Sequence, residues 1–224
     1  MLWSAETKPD DYDEAAFGGG LALDGDKLYA TNGFGAVTCF LASTGQVIWQ
    51  KKLAQPIRNA PVVADGRVFV LPINNQTLAL SAKDGAELWR HSGIAESTSL
   101  LGAAGAAVSG ETVIVTYSSG EIFALRVQNG RPAWGDLLAV PTQVGALPAM
   151  ADIRGLPVVD RGAVFAISYS GPLTAIALRS GERAWDLDIG SANTPLVVGN
   201  VVYVVTSGQV LVAVTLQTGR VVWS

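Results

Sequence analysis

One histidine, His91, and one cysteine, Cys39, are all that 224 residues supply of either type. A single cysteine forbids an internal disulfide, and one of each cannot build a zinc site of the usual kind. A Ser-His-Asp arrangement would have to use His91, and no G-x-S-x-G elbow accompanies it. His91 directly follows Trp89-Arg90 and reads as a strand-end surface residue, since an isolated imidazole lacks the orienting partner a base requires. Charge is scarce as well, at 15% of residues against a usual share of about 25%. The net charge of −4 comes without a basic cluster, which argues against nucleic acid as a partner. No run of about 18 apolar residues occurs, so nothing reads as a membrane-spanning helix. Met1-Leu2-Trp3 lacks the basic and apolar regions of a signal peptide, and any export signal is expected to lie outside this sequence. Long helical periodicity is missing too.

Present instead is a repeat. A glycine stands four residues before a tryptophan five times: Gly45/Trp49, Gly85/Trp89, Gly130/Trp134, Gly181/Trp185 and Gly219/Trp223. A turn-former precedes each glycine (Thr44, Asp84, Asn129, Ser180, Thr218), so a tight turn with positive φ at the glycine is expected. Six residues before the glycine comes a small residue (Cys39, Ala79, Ala124, Ala175, Ala213), followed by a large apolar one, as in a strand packed closely against a neighbour. Cys39 fills the slot that alanine takes in the other four copies, so it reads as an inert packing residue. Each tryptophan is expected to end the next strand, and its bulk needs a slot between layers. Packing rather than ligand stacking follows, because all five hold the same repeat position.

Spacing within the repeat is rigid. From a strand-opening position (Leu21, Pro61, Ala106, Pro157, Pro195) to its tryptophan the distance is 28 residues every time, while the following connection takes 12, 17, 23 and 10 residues. Length therefore varies in one kind of loop, where the core is not carried. Inside each unit, turns are expected at Asp24-Gly25, Asp65-Gly66, Ser109-Gly110, Arg161-Gly162 and Gly199-Asn200, then at Gly35, Asn75, Gly120, Gly171 and Gly208-Gln209, with β-branched and aromatic runs between. Four short antiparallel strands per unit of about 40 to 45 residues is the signature of a propeller blade. The expected fold is all-β: a single propeller domain over 1–224, with blades at 17–53, 57–93, 102–138, 153–189 and 192–224. Residues 1–16 would be the end of a preceding blade, with Trp3 as its closing tryptophan. The acidic residues Asp10, Asp11, Asp13 and Glu14 lack the glycine and terminal glutamate of a calcium loop and read as a solvated loop.

The pattern of a small residue, an apolar residue and then T/D-G-x-x-x-W resembles the tryptophan-docking motif of the quinoprotein-like, PQQ-repeat propellers. Within that superfamily the runs 66–89, 118–134 and 157–185 are similar to the central blades of the BamB-type outer-membrane β-barrel assembly lipoproteins. The resemblance implies an eight-bladed ring of which five blades are present, so the chain is expected to be a fragment; a five-bladed ring closed on itself is the alternative. It further implies a non-catalytic scaffold without cofactor or metal, located in the periplasm at the outer membrane and held there by a lipid anchor outside this sequence. The implied partners are BamA periplasmic domains and unfolded outer-membrane protein precursors.

In that family the contact loops precede the opening strands of two neighbouring blades, which correspond here to residues 97–102 and 150–156. Leu100, Gly102 and Asp152 match the family pattern, whereas Thr98, Leu101 and Arg154 depart from it; Leu101 replaces an arginine and Arg154 an aspartate. The implied partner-binding set is Thr98, Leu100, Leu101, Asp152 and Arg154, with charges exchanged against the partner. Leu100 and Leu101 are equally readable as a cover over the core. Two other functions remain open: a different periplasmic protein- or ligand-binding propeller, and a piece of a quinone-dependent dehydrogenase, although Cys39 has no neighbouring cysteine for the latter.

Overall fold

The computed structural model describes residues 2–8, 16–95, 105–138 and 153–224, and the backbone of 143, 144, 147 and 148. The acidic run 10–14 lies outside them. Among the described residues there is no helix, and five sheets of four antiparallel strands account for nearly all the regular structure. The first holds β1 (Gly19–Asp24), β2 (Lys27–Asn32), β3 (Ala36–Leu41) and β4 (Val47–Lys52); the second β5 (Val62–Ala64), β6 (Arg67–Val70), β7 (Gln76–Ser81) and β8 (Glu87–Ser92). The third is β9 (Ala106–Ser109), β10 (Thr112–Thr116), β11 (Glu121–Arg126) and β12 (Pro132–Leu137). A two-stranded pair, β13 (Gln143–Val144) with β14 (Leu147–Pro148), precedes the fourth: β15 (Val158–Asp160), β16 (Ala163–Ile167), β17 (Leu173–Ala177) and β18 (Arg183–Leu187). The fifth is β19 (Leu196–Val198), β20 (Val201–Val205), β21 (Leu211–Thr215) and β22 (Val221–Trp223). Every four-stranded sheet is a meander in chain order, which makes each a blade.

Local chemistry explains the meander. The expected turn before each tryptophan forms with positive φ at Gly45, Gly85, Gly130, Gly181 and Gly219, each glycine N–H donating to the carbonyl four residues back at 2.8–3.0 Å. At the first hairpin the expectation shifts by one residue in two blades: the loop residues are Gly25-Asp26 and Gly110-Glu111 rather than Asp24-Gly25 and Ser109-Gly110. These place a positive-φ glycine first, whereas Asp65-Gly66 and Arg161-Gly162 hold both residues at positive φ; both geometries follow the twist of the strands they join.

Trp223 ends its strand as expected, but the other four tryptophans do not. Each is the third residue of its strand, and in β4, β8, β12 and β18 the strand runs two or three residues further. The reason is a bulge just before the indole. Register slips between Cys39 and Phe40 and at the four equivalent places, leaving Ile48, Leu88, Ala133, Ala184 and Val222 as extra residues. The bulge breaks the two-residue alternation and turns the indole inward after two consecutive exposed residues. The small residue lies directly across from the tryptophan and between it and a second large side chain, as in Tyr29, Cys39, Trp49 or Phe69, Ala79, Trp89. Ring centroids there are 6.0 and 5.7 Å apart, because the two rings lean together over the small residue.

Two compact units follow, residues 1–92 and 93–224. In the first, Tyr29, Val37, Ile57, Val68 and Leu80 form a core between sheets one and two. In the second, Ile114, Ile122, Ile153, Val164 and Ile176 fill the space between sheets three and four, and Phe165, Leu173, Val202 and Val214 that between four and five. Fully burying such side chains contributes about 1.5–3 kcal/mol each.

Candidate partner-binding face

Neighbouring sheets within a unit are joined by backbone and indole. The residue after each third strand donates its N–H to the first hairpin of its own sheet: Ala42 to Asp26, Ala82 to Gly66, Leu178 to Gly162 and Leu216 to Asn200, at 2.8–2.9 Å. Its carbonyl accepts the indole N–H of the preceding tryptophan: Trp3 on Ala42 and Trp134 on Leu178 at 2.8 Å, Trp185 on Leu216 at 2.9 Å and Trp49 on Ala82 at 3.2 Å. Trp3 thus takes the pose its spacing predicts, stacked 5.9 Å from Phe40. Trp89 is buried against Phe69, and Trp223 is half-exposed beside Tyr203.

With the sheets so fixed, the segments entering successive first strands run side by side. In the first unit Gly19 N–H donates to Arg58 O at 3.0 Å and Thr31 Oγ1 to Asn59 O at 2.7 Å. In the second, the Leu156 side chain lies over Gly105 and leaves no room there for a Cβ. Leu156 N–H in turn donates to Thr194 Oγ1 at 2.9 Å, and a Cβ on Gly155 would stand 2.6 Å from Asn193 O. Gly105 and Leu156 close the two long connections that carry the predicted site, so the downstream ends of those connections touch. Ile153, fully buried, pins the second; Leu156 stays 40% exposed. The upstream end of the first is held at Ile94, whose N–H donates to Glu121 Oε2 at 2.6 Å, an oxygen that also accepts Ser119 Oγ at 2.6 Å.

Of the predicted partner-binding residues, Arg154 lies in the described segment and is partly buried; Thr98, Leu100, Leu101 and Asp152 lie outside the described residues. Sequence reasoning missed Gly105, Leu156 and Glu121. Only Glu121 carried a signal, a carboxylate where the other repeats have Ala36, Gln76, Pro172 and Val210.

The rim between the third and fourth sheets is clamped by charge. Arg183 Nε and Nη2 donate to Asp136 at 2.6 and 3.1 Å, and Nη2 also reaches Leu137 O at 2.8 Å. The guanidinium holds the Asp136 carboxyl below the usual carboxylate range, and the carboxylate raises Arg183. Arg161 donates to Asn200 Oδ1 and Gly199 O, both at 2.6 Å, tying the first hairpins of sheets four and five. Burial pushes the Cys39 thiol up and the Tyr29 phenol up to about 12, so neither is activated. His91 is partly buried in β8. Among the described residues no three His, Cys, Asp or Glu side chains converge as a metal site would need.

Comparison with known proteins agrees with this architecture. The family model described as "Outer membrane protein assembly factor BamB" matches residues 1–224. BamB from Yersinia pestis is 32% identical over 94% of this chain and 53% of its own length, and BamB from Escherichia coli K12 is 31% identical over the whole chain and 58% of its own. The chain thus spans just over half the length of these relatives. The crystal structure of BamB from Moraxella catarrhalis superposes with a TM-score of 0.84 at 24% identity, covering 91% of this chain and 62% of that one. Quinohemoprotein alcohol dehydrogenase from Comamonas testosteroni, at 0.73 and 14%, shares the fold alone.

Proposed function

The chain belongs to the BamB family of outer membrane protein assembly factors, and from that premise we propose that it is a non-catalytic docking scaffold working in the periplasm at the outer membrane. Its partners are BamA periplasmic domains and unfolded outer-membrane protein precursors. The observation that carries this reading is the family match over residues 1–224. The meeting of the two long connections at Gly105 and Leu156 supports it, because a partner spanning both would touch one continuous face.

Binding through that face uses its apolar residues for affinity and its charges for orientation. Leu156, with Leu100 and Leu101 of the other connection, supplies apolar area, while Asp152 and Arg154 set register against charges on the partner. A pull-down of the full-length protein with BamA periplasmic domains tests the assignment. Retention that drops about tenfold or more in Leu100→Asp and Asp152→Arg is expected, in line with a hot-spot loss. No retention, or retention unchanged by both substitutions, would count against it.

A further inference from the structure

One face of the third sheet departs from the repeat in three places at once. At the position of Glu121 the other sheets have Ala36, Gln76, Pro172 and Val210; opposite Phe123 the outer strand has Gly135, where sheets one, two and four have Gln50, Arg90 and Asp186. In sheets one and four that outer residue bonds across to a threonine, Gln50 to Thr38 at 3.0 Å and Thr174 to Asp186 at 2.6 Å. In the third sheet the Phe123 ring lies across Gly135 instead, so close that a Cβ there would be 2.6 Å from it. The result is an open groove of ≈ 570 Å³ lined by Ile94, Glu121, Phe123, Pro132, Gly135 and Leu137. Its volume falls in the range of about 300–1,000 Å³ usual for ligand sites.

Two carboxylates line the groove: Asp136, which Arg183 already holds, and Glu121, which no described cation meets. Glu121 is 9% exposed, both its hydrogen bonds fall on Oε2, and no described cation forms an ion pair with it. Buried carboxylates are ordinarily paired. The second sheet supplies the complement within the chain: Arg90, at the position of Gly135, extends Nη1 to 3.4 Å from Gln76 Oε1, at the position of Glu121. The third sheet keeps the acceptor, strengthens it to a carboxylate and deletes the guanidinium.

We propose that this groove takes an arginine side chain from a partner polypeptide, its guanidinium on Glu121 Oε1 and its stem along Phe123, Ile94 and Leu137. A planar guanidinium fits the site because it can bond the carboxylate at its edge while its face meets an aromatic ring. The site uses none of the loop residues named above, so it does not depend on the identity of that partner.

Nuclear magnetic resonance of the whole chain tests it. N-acetyl-arginine-N-methylamide, added against the amides of Ile94 and Gly135, is expected to give saturable shifts, with the neutral isostere N-acetyl-citrulline-N-methylamide binding about tenfold more weakly or less. Glu121→Gln should remove the difference between the two probes. The double variant Phe123→Leu with Gly135→Arg, which transplants the second sheet's arrangement, should abolish the shifts while keeping the fold. Equal shifts from both probes, non-saturating shifts, or arginine preference that survives Glu121→Gln would overturn the site. None of these results bears on retention by BamA domains, so the two assignments fail separately.

Discussion

A single methyl group distinguishes two kinds of glycine in this chain. Gly66 (φ +68°) and Gly85 (φ +72°) share a left-handed backbone, but a Cβ on Gly66 would meet nothing within 4 Å, whereas one on Gly85 would stand 2.7 Å from the Trp49 ring. Gly66→Ala should therefore lose only the backbone term, about 1 kcal/mol. Gly85→Ala must also expel the indole, and a loss of roughly 3 kcal/mol or more is expected; urea midpoints of the two variants measure the gap. The small residue between the rings obeys the same logic. Ala79→Leu would force Phe69 and Trp89 apart at a cost of about 1–3 kcal/mol, while Cys39→Ala should change stability by less than about 1 kcal/mol, because the other sheets already use alanine there. These positions were legible in the sequence, since a repeat exposes which residue types are tolerated five times over.

Among the elements, the outer strands differ most from expectation. The bulge was not legible, although the two adjacent exposed residues before each tryptophan (Val47-Ile48, for instance) break a strict alternation; a pattern read two residues at a time has no place for an extra one. Nor was the Arg183–Asp136 clamp, because its partners lie 47 residues apart on different sheets. This clamp predicts a pH dependence. Arg183 depresses the folded-state pKa of Asp136, so the pair's contribution is present above the ordinary carboxylate value of about 3.9 and is lost as pH falls through the lower folded value. Arg183→Met should cost on the order of 1 kcal/mol at pH 7, a modest value for a partly exposed pair, and should flatten the decline in urea midpoint between about pH 5 and pH 2. An unchanged acid limb would show that other carboxylates govern it.

At the scale of the whole molecule, fold class could be read from spacing alone, while the meeting of the two long connections could not. It depends on which loop ends touch, and Leu156 over Gly105 unites two connections of unrelated sequence. The dehydrogenase alternative makes an opposite prediction for the intact chain. Its only cysteine is buried and inert, and the described residues gather no cluster of metal ligands, so pyrroloquinoline quinone with calcium should leave both the quinone absorbance and dye reduction unchanged. A bound quinone spectrum would restore the enzyme reading.

The junction residues Ala42, Ala82, Leu178 and Leu216 bear on how such a chain arises. Both groups they contribute are main-chain atoms, so the seam recognises an indole and a hairpin carbonyl without reading the identity of the residue that joins them. A gene could then duplicate, delete or exchange whole repeats without compensating changes on either side. Sequence drift at the seam itself would then be confined by little more than the indole, leaving the joining residues open to change.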